Sequence, residues 1–326
     1  MKRFHFVTLY ITRRCDLACS YCSEEFHLPI SGRKAPTDMP FDKKWKEILT
    51  RWAPETEYFS ILGGEPTLHK DLPQIVNFLH NQKVKFGITT DGRLSATEYS
   101  HLVAKGLPEI ALSIDSIAGN HNDKSARIKS ERNFRLIHEL SKVSVITPNG
   151  KPVTLIACMV VSKRNIQEVH ILAKLFTDMG VIFAPCPVQQ GYHESLSVAS
   201  NGADSAAHPS DLADVGRWLL ENYKTLLLAE PQSYYDLWIK HASDMSRAWH
   251  CNDELRAPSI DHDGTMWGCY AYQGAESKKL HALTASWEEI NQAFRKDMSV
   301  CQGCSWNCLY SSNGITDGTI DPNLWV

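Results

Sequence analysis

The sequence lacks both a hydrophobic run long enough to cross a membrane and an export signal. No apolar stretch approaches the roughly 20 residues that a transmembrane helix needs. At the N terminus, Lys2 and Arg3 precede a short apolar run that His5 and Thr8 interrupt, which is not the pattern of a secretory signal. These absences predict a cytoplasmic protein that acts away from membranes.

An excess of positive charge is also missing. The 326 residues carry 34 Lys and Arg against 37 Asp and Glu, for a formal net charge of −3. Proteins that bind a nucleic-acid backbone usually present a basic face, so the composition argues against nucleic acid as the principal partner. A hydrophobic content of 43% and a charged content of 22% are ordinary for a globular chain. The length allows one large domain and a smaller one.

Cysteine, by contrast, is abundant. Of ten cysteines, eight fall in two groups, at 15–22 and at 251–308, while Cys158 and Cys186 stand apart. Because there is no export signal, this usage favours a reducing compartment and metal chemistry over a disulfide framework.

The first group has the spacing C-x3-C-x2-C, with Cys15, Cys19 and Cys22 on one short loop after the strand-like stretch FHFVTLYIT. Three thiolates on one loop can hold three corners of a [4Fe-4S] cluster and leave the fourth iron without a protein ligand. An open iron is where a small molecule can bind and receive an electron. From the spacing alone, two alternatives stay open: a zinc site completed by His27, and disulfide bonds.

Strand-like and helix-like segments alternate beyond this loop. Short runs typical of strands covered on both faces are Phe6–Thr12, Tyr58–Leu62, Lys85–Thr90, Glu109–Ile114, Val153–Val161 and Val181–Val188. Apolar residues at helical spacing predict helices near 41–52, 72–79, 95–105, 131–141, 166–179 and 211–229. Six βα units in series predict an α/β fold, a partial (β/α)6 TIM-like barrel with a small cysteine-rich C-terminal extension. We place the boundary between 1–230 and 231–326.

In such barrels the chemistry sits at the C-terminal ends of the strands. The cysteine loop follows the first strand, Gly63-Gly64-Glu65-Pro66 the second, Thr90-Asp91-Gly92 the third and Ser113–Asp115 the fourth. These motifs are therefore predicted to meet at one rim. A Ser/Ala/Gly-rich stretch at about 190–210 predicts a loop, either a lid or an ordinary surface connection.

The motif C-x3-C-x-aromatic-C with GGEP after the second strand resembles the radical S-adenosylmethionine (radical SAM) superfamily over about the first 190 residues. The resemblance implies that Cys15, Cys19 and Cys22 hold a [4Fe-4S] cluster. Its open iron would be chelated by the amino and carboxylate groups of S-adenosylmethionine. One electron from the reduced cluster would cleave the sulfonium and give a 5′-deoxyadenosyl radical that abstracts hydrogen from substrate. An electron donor such as flavodoxin or ferredoxin is implied as a partner.

The same resemblance places cofactor contacts along the rim. Tyr21 is expected next to the adenine, and the GGEP stretch, Gly63, Gly64, Glu65 and Pro66, at the methionine amino group. This agrees with the residue types, since two glycines let the backbone approach a ligand and a glutamate can bind an ammonium group.

Four further residues are expected near the cofactor: Thr90, Ser113, Asp115 and Asn165. Ser113 and Asp115 match the family's ribose-contacting region, with helix capping as the alternative. Asn165 either reaches the cofactor or caps the helix that follows it. Thr90-Asp91-Gly92 departs from the commoner Thr-Asn-Gly, and aspartate only accepts hydrogen bonds where asparagine also donates.

The second group of cysteines resembles the SPASM/twitch extensions of radical SAM enzymes, which carry auxiliary [4Fe-4S] clusters. Asp263-Gly264 is a two-residue hairpin signal inside it. A full SPASM pattern has seven cysteines, whereas this chain has five, so we expect one auxiliary cluster and one spare thiol, with a zinc ribbon as the alternative. The candidate ligands are Cys251, Cys269, Cys301, Cys304 and Cys308.

We therefore predict an oxidoreductase or maturase that abstracts hydrogen from a small sugar-like molecule or a short peptide, with net oxidation. The first strand begins a few residues after Met1, so no peptide-recognition domain is expected before the barrel. One alternative is epimerisation or crosslinking of a ribosomal peptide, with Cys186 at the end of the sixth strand returning hydrogen, although Cys186 also fits a structural cysteine. Another is a non-catalytic iron–sulfur electron carrier, which would leave GGEP and the barrel unexplained.

Overall fold

The structure is a computed structural model that describes residues 3–19, 22, 37–117, 124–142, 145–188, 206–245, 248–249, 251, 257–268, 279–299, 310 and 314. Most of the loop predicted near 190–210 lies outside these residues. So do six candidate site residues, which are Tyr21, His27, Cys269, Cys301, Cys304 and Cys308.

The described strands form one curved, open sheet, a half-barrel. They are β1 (Phe4–Tyr10), β2 (Thr56–Leu62), β3 (Lys85–Thr90), β4 (Glu109–Ser113), β5 (Thr154–Val161), β6 (Ile182–Pro187), β7 (Ser259–Ile260) and β8 (Met266–Trp267). The strand order is β6-β5-β4-β3-β2-β1-β7-β8, with every neighbouring pair parallel except β7 and β8. The first six strands confirm the predicted partial TIM-like barrel.

Helices accompany the strands in alternation. They are α1 (Lys46–Trp52), which continues a π-helical turn at Phe41–Trp45, α2 (Leu72–Asn81), α3 (Ala96–Ala104), α4 (Lys124–Lys142), α5 (Val169–Asp178), α6 (Pro209–Glu221), α7 (Gln232–Lys240) and α8 (Trp287–Ser299). The first six confirm the predicted helices; α7 and α8 were not predicted. No helix in the described part of the chain has the length and hydropathy to cross a membrane.

The helix predicted over 211–229 ends earlier than expected. After α6 the chain turns and runs in extended form beside β6, where the Phe183 amide donates to the Leu227 carbonyl at 2.8 Å and the Ala229 amide donates to the Phe183 carbonyl at 3.0 Å. The edge amide and carbonyl of Phe183 are thereby paired, and the residue after Ala229, Glu230, is buried.

The two faces of the sheet differ in burial. On β5, Ala157, Met159 and Val161 are at most 1% exposed and belong to the hydrophobic core. Cys158 and Val160, on the opposite face, are only partly buried. Because the covered face packs under the helices, the partly buried face is the inside of the half-barrel.

C-terminal segments close against the first strand. The predicted hairpin is confirmed, with β7 and β8 antiparallel and Gly264 at a φ of +90°. The connection is longer than the predicted two residues, because residues 261–265 lie between the two strands. The pairing of β7 with β1 was not predicted from the sequence. Trp287 at the start of α8 packs on Phe4 of β1, with ring centroids 5.6 Å apart. The domain boundary at residue 230 stays a prediction.

Candidate active site

The cysteine loop leaves β1 at the C-terminal edge of the sheet. Cys15 and Cys19 are partly buried and Cys22 is exposed. A turn brings the Cys22 amide to the Cys19 carbonyl at 3.0 Å, and the Leu17 amide donates to Cys15 Sγ at 3.5 Å. The predicted cluster ligands therefore lie on one short loop at the predicted edge.

Burial and nearby negative groups disfavour the Cys15 thiolate unless a cationic centre is bound. Burial raises the pKa of the Cys15 thiol to about 12, and the neighbouring charges of Asp91, Glu65 and Cys22 also raise it. Thiols bind metal as thiolates, and a bound cationic centre stabilises that form. Three such thiols on one loop fit the three protein ligands of a [4Fe-4S] cluster with one open iron.

The glycines of the GGEP turn lie against the cysteine loop. The Gly64 amide donates to the Thr12 carbonyl at 3.0 Å, and the Glu65 amide donates to the Arg14 carbonyl at 2.7 Å. A Cβ on Gly63 would lie 2.6 Å from the Thr12 oxygen, and one on Gly64 would lie 2.3 Å from the Arg14 oxygen. The close approach predicted for these glycines is thus made to the backbone of the cysteine loop.

Glu65 joins the GGEP turn to the end of β3. Its side chain is buried, which raises the pKa of its carboxyl group. Oε1 accepts from the Thr67 amide at 2.9 Å and from the Thr90 hydroxyl at 2.8 Å, and Oε2 accepts from the Asp91 amide at 2.7 Å. Thr90 and Glu65, both predicted cofactor residues, therefore lie together at one rim.

A buried ion pair lies beneath the cysteine loop. Lys129 Nζ of α4 lies 2.7 Å from Asp115 Oδ2, and both side chains are at most 6% exposed. Burial lowers the pKa of Lys129, but Asp115 and the thiols of Cys19 and Cys22 outweigh burial and raise it overall. Asp115 thus binds a helix residue, and the cation it holds lies near two of the predicted cluster ligands, Cys19 and Cys22.

Sequence reasoning missed two cations of α4. Lys129 lies on the buried face of the helix between Ala126 and Asn133, in line with the apolar stripe that continues at Leu136 and Leu140. A lysine in line with that stripe was the available signal. Arg132 bridges two carboxylates, with Nη1 3.4 Å from Asp91 Oδ1 and Nη2 3.2 Å from Asp16 Oδ2.

Ser113 and Asn165 occupy the same edge. Ser113 ends β4, and its carbonyl accepts from the Asn133 amide group at 2.7 Å. Asn165 Nδ2 donates to the carbonyls of Asp115 and Val160, both at 2.9 Å. The Asn165 side chain does not cap the turn that follows it, so the capping alternative is wrong. It instead links the ends of β4 and β5, and its contact with the cofactor stays a prediction.

Cys186 lies on β6, as predicted. Ala184 pairs in register with Cys158, so Cys186, two residues later, shares the inner face of the half-barrel. The buried Tyr234 hydroxyl donates to Cys186 Sγ at 3.5 Å. Burial raises the pKa of the neighbouring Cys158 thiol to about 12. A catalytic role for Cys186 stays a prediction.

Cys251 is the one candidate auxiliary ligand within the described residues. It is partly buried and packs against the main hydrophobic core.

Arg13, just before the cysteine loop, binds the C-terminal hairpin. Arg13 Nε donates to Asp261 Oδ1 at 3.0 Å, and its Nη2 donates to Asp261 Oδ2. The guanidinium lies over the Trp267 ring, 5.0 Å from its centroid. Arg13 precedes Cys15 by two residues, so β7 and β8 fix the start of the cysteine loop.

Comparisons with known proteins support this arrangement. The profile of the radical SAM superfamily matches residues 9–176, just over half of the chain. The chain is 31% identical over 134 residues to a PqqA peptide cyclase of Bradyrhizobium diazoefficiens, covering 40% of this chain and 33% of that protein. It is 32% identical over 116 residues to an S-adenosylmethionine-dependent nucleotide dehydratase of Selenomonas ruminantium, covering 34% of this chain and 39% of that protein. The matches thus span between a third and two fifths of these relatives.

Solved structures share the fold. Streptococcus suis SuiB bound to S-adenosylmethionine aligns with a TM-score of 0.66 at 18% identity, over 88% of this chain and 65% of that one. The structure of anSMEcpe with bound AdoMet aligns with a TM-score of 0.64 at 16% identity, over 91% of this chain and 81% of that one.

The segment matched by the family profile begins in β1 and runs into α5, so it contains the cysteine loop, the GGEP turn and the ends of β3, β4 and β5. On this match, and on the arrangement of its three thiols, the chain belongs to the radical SAM superfamily.

Proposed function

We propose that this enzyme holds a [4Fe-4S] cluster on Cys15, Cys19 and Cys22, binds S-adenosylmethionine beside it, and abstracts hydrogen from a substrate in the half-barrel. The observation that carries the proposal is the packing of the cysteine loop on the GGEP turn and the end of β3. Family membership implies the cluster and the cofactor. When bound, they supply a 5′-deoxyadenosyl radical, while the chain positions the reactants and excludes water.

We assign the cofactor site to the strand ends and α4. Arg132 contacts Asp16 of the cysteine loop and Lys129 lies near Cys19 and Cys22, so two cations are available to a carboxylate of the cofactor. The Arg132 side chain is 27% exposed. The other proposed contacts are Tyr21, Gly63, Gly64, Glu65, Pro66, Thr90, Ser113, Asp115 and Asn165.

Cofactor binding is tested by electron paramagnetic resonance. Anaerobically reconstituted protein reduced with dithionite should give a cluster signal that changes when S-adenosylmethionine is added, because the open iron gains a ligand. A cluster with four protein ligands, as in an electron carrier, would show no change, and that result would contradict the proposal.

The substrate is proposed to be a small sugar-like molecule or a short peptide. Five residues on the inner face of the half-barrel are only partly buried, which are Thr89, Ser113, Cys158, Val160 and Cys186. A peptide is supported by the PqqA peptide cyclase and by SuiB, which has been solved with its precursor peptide SuiA. A small molecule is supported by the nucleotide dehydratase.

We further propose net two-electron oxidation, with an auxiliary [4Fe-4S] cluster on the second cysteine group accepting an electron from the substrate. The candidate ligands are Cys251, Cys269, Cys301, Cys304 and Cys308. Iron analysis should then find about eight iron per chain, and about four when Cys251 and Cys269 are both replaced by Ala, since each cube holds four. Stoichiometric zinc with about four iron would rule out the auxiliary cluster.

A second outcome, epimerisation, is favoured by one contact. Cys186 shares the inner face and receives a hydrogen bond from Tyr234, which supports a role for its thiol in returning a hydrogen atom to a substrate radical. Product mass distinguishes the two outcomes. Oxidation removes two hydrogens and consumes one S-adenosylmethionine per product. Epimerisation leaves the mass unchanged in ordinary water and adds one deuterium in heavy water.

A further inference from the structure

Basic side chains cluster where β4 and β5 end at the rim of the half-barrel. Lys124 and Arg127 lie in the first turn of α4, and Lys163 and Arg164 follow the end of β5. All four are exposed, and we call them the rim patch. Among the described residues of the first two turns of α4 and of the turn after β5, Glu131 is the one exposed acid. The whole chain has a formal net charge of −3, so this positive excess is local.

The positions of Lys124 and Arg127 are unfavourable for the helix itself. The N-terminus of a helix carries a partial positive charge, so cations in the first turn are disfavoured there. The first turn of α4 contains no acid. The ion pair of Arg127 with Glu131 is long, 4.0 Å between Nε and Oε1, and both side chains are at least half exposed, so it contributes little stability. Stability of the helix therefore does not account for these two cations.

An exposed apolar residue lies between the two segments that carry the rim patch. Ile117 follows β4 and is 40% exposed. Its amide donates to Glu168 Oε2 at 2.7 Å, and the Ser116 hydroxyl donates to Glu168 Oε1 at 2.9 Å, so the residues after β4 are fixed to the turn after β5. An apolar centre with a charged rim is the usual composition of a contact between proteins.

The rim patch adjoins the cysteine loop. Ser125, the neighbour of Lys124, accepts a hydrogen bond from the Ala18 amide at 3.0 Å. Ala18 directly precedes Cys19, and Cys22 is exposed. A protein bound over the rim patch would therefore lie beside predicted cluster ligands. Electron transfer between proteins requires such closeness, because its rate falls steeply with distance.

We infer that the rim patch docks an acidic one-electron carrier protein, which delivers to the cluster the electron that cleaves S-adenosylmethionine. This rests on the proposed function, which needs one electron for each cleavage. The carrier is oxidised by one electron and the cluster is reduced by one. Opposite charge steers the carrier to the patch, and Ile117 supplies the apolar contact.

The test follows electron exchange by stopped flow, without turnover. Each reconstituted protein is reduced by photoreduction with 5-deazaflavin, a small uncharged reductant, and is mixed anaerobically with an acidic flavodoxin in its blue semiquinone form. Loss of the semiquinone absorbance is recorded at about 50 mM and about 500 mM salt. The phase that belongs to the N-terminal cluster is the one that is lost when Cys15, Cys19 and Cys22 are all replaced by Ala.

Two double variants are compared with wild type. Lys124→Glu/Arg127→Glu reverses charge in the rim patch. Lys105→Glu/Lys142→Glu is the matched control, because it makes the same change in net charge at exposed positions by the C-terminal ends of α3 and α4. Photoreduction by 5-deazaflavin should be the same in all three proteins, which shows that each is folded and holds its cluster.

Lys124→Glu/Arg127→Glu is expected to slow the cluster phase about tenfold or more at low salt, because steering by opposite charge accelerates association by about 10- to 1000-fold. Higher salt should slow wild type and change this variant little. The control variant should stay within about threefold of wild type, since its charges lie far from the docking surface.

An equal loss of rate in the control variant would overturn the inference, as would a wild-type rate in the rim-patch variant. Exchange that does not depend on salt, or no exchange between wild type and flavodoxin after normal photoreduction, would also overturn it. In all these cases the cluster is present and the proposed function stands. If photoreduction gives the same spectrum in wild type and in the triple cysteine variant, the proposed function fails, and the inference with it.

Discussion

At the scale of single residues, burial sets the acidity of the carboxylates inside the half-barrel. Glu109 opens β4 on the inner face, where Tyr58 donates to its Oε1. Burial raises the pKa of Glu109 to about 7. The hydrogen bond from Tyr58 and the charge of Lys85 both lower this pKa, but burial has the larger effect. A carboxyl group of this kind ionises near neutral pH, so the protein should be sensitive to pH at this position.

Replacing Glu109 by Gln should remove part of the pH dependence of stability. The pKa of Glu109 is higher in the folded chain than in the unfolded chain, so the folded state binds more protons and its stability falls as pH rises through about 7. Between pH 6 and pH 8 the wild-type free energy of unfolding should fall by about 1 kcal/mol more than that of Glu109→Gln. Urea unfolding at both pH values measures this, and identical pH slopes would contradict the assignment.

At the scale of elements, the cysteine loop is held by backbone contact with the GGEP turn. The strands were predictable because parallel strands covered on both faces are continuous apolar runs. The rim was predictable because such strands end at one edge. The α8 helix had its own signals in the capping residues Ser286 and Glu289, but its docking on β1 depends on a contact between distant parts of the chain.

The side chains of the site were less predictable than its location. Lys129 and Arg132 follow no motif, and their pairing with Asp115 and Asp91 depends on how α4 is rotated against the sheet. The sequence predicts that the GGEP glycines contact a ligand, whereas in the structure they contact the backbone of Thr12 and Arg14. A sequence does not show which backbone segment approaches a glycine.

Gly64→Ala is expected to prevent the cysteine loop from binding iron. The new Cβ would lie 2.3 Å from the Arg14 oxygen and 2.9 Å from Cys15 Cβ, so the cysteine loop has to move. We expect the loss of about four iron per chain, the content of one cube. Gly150→Ala is the control, since it has φ +75° and no atom within 4 Å of the new Cβ.

The Gly150→Ala variant should lose about 1 kcal/mol of stability from backbone strain and keep its iron. Iron and sulfide analysis of both variants measures the difference. Full iron content in Gly64→Ala would show that the loop tolerates displacement and would contradict the packing argument.

At the scale of the whole molecule, the C-terminal hairpin and the N-terminal loop form one unit. Asp261 is buried at 4% exposure and lies 248 positions from Arg13 in sequence. Burial opposes ionisation of Asp261, but His262 and Arg13 outweigh it and hold the pKa of Asp261 below its usual range. The C-terminal segment therefore stabilises the start of the cysteine loop.

Asp261→Asn should destabilise the folded protein and loosen the cysteine loop. Loss of a buried, charged hydrogen-bonded partner is expected to lower the free energy of unfolding by about 2 kcal/mol. Iron release to a chelator should be faster than in wild type. Asp263→Asn, an exposed change in the same hairpin, is the control and should match wild type in both measurements. Wild-type iron release from Asp261→Asn would show that the hairpin does not support the loop.

The central claim is that Cys15, Cys19 and Cys22 hold the centre that cleaves S-adenosylmethionine, and formation of 5′-deoxyadenosine tests it most directly. Anaerobically reconstituted protein with dithionite and S-adenosylmethionine should form 5′-deoxyadenosine even without substrate. The variant with all three cysteines replaced by Ala should form none, while it stays folded and keeps iron at the second cysteine group. Formation of 5′-deoxyadenosine by that variant at the wild-type rate would contradict the claim.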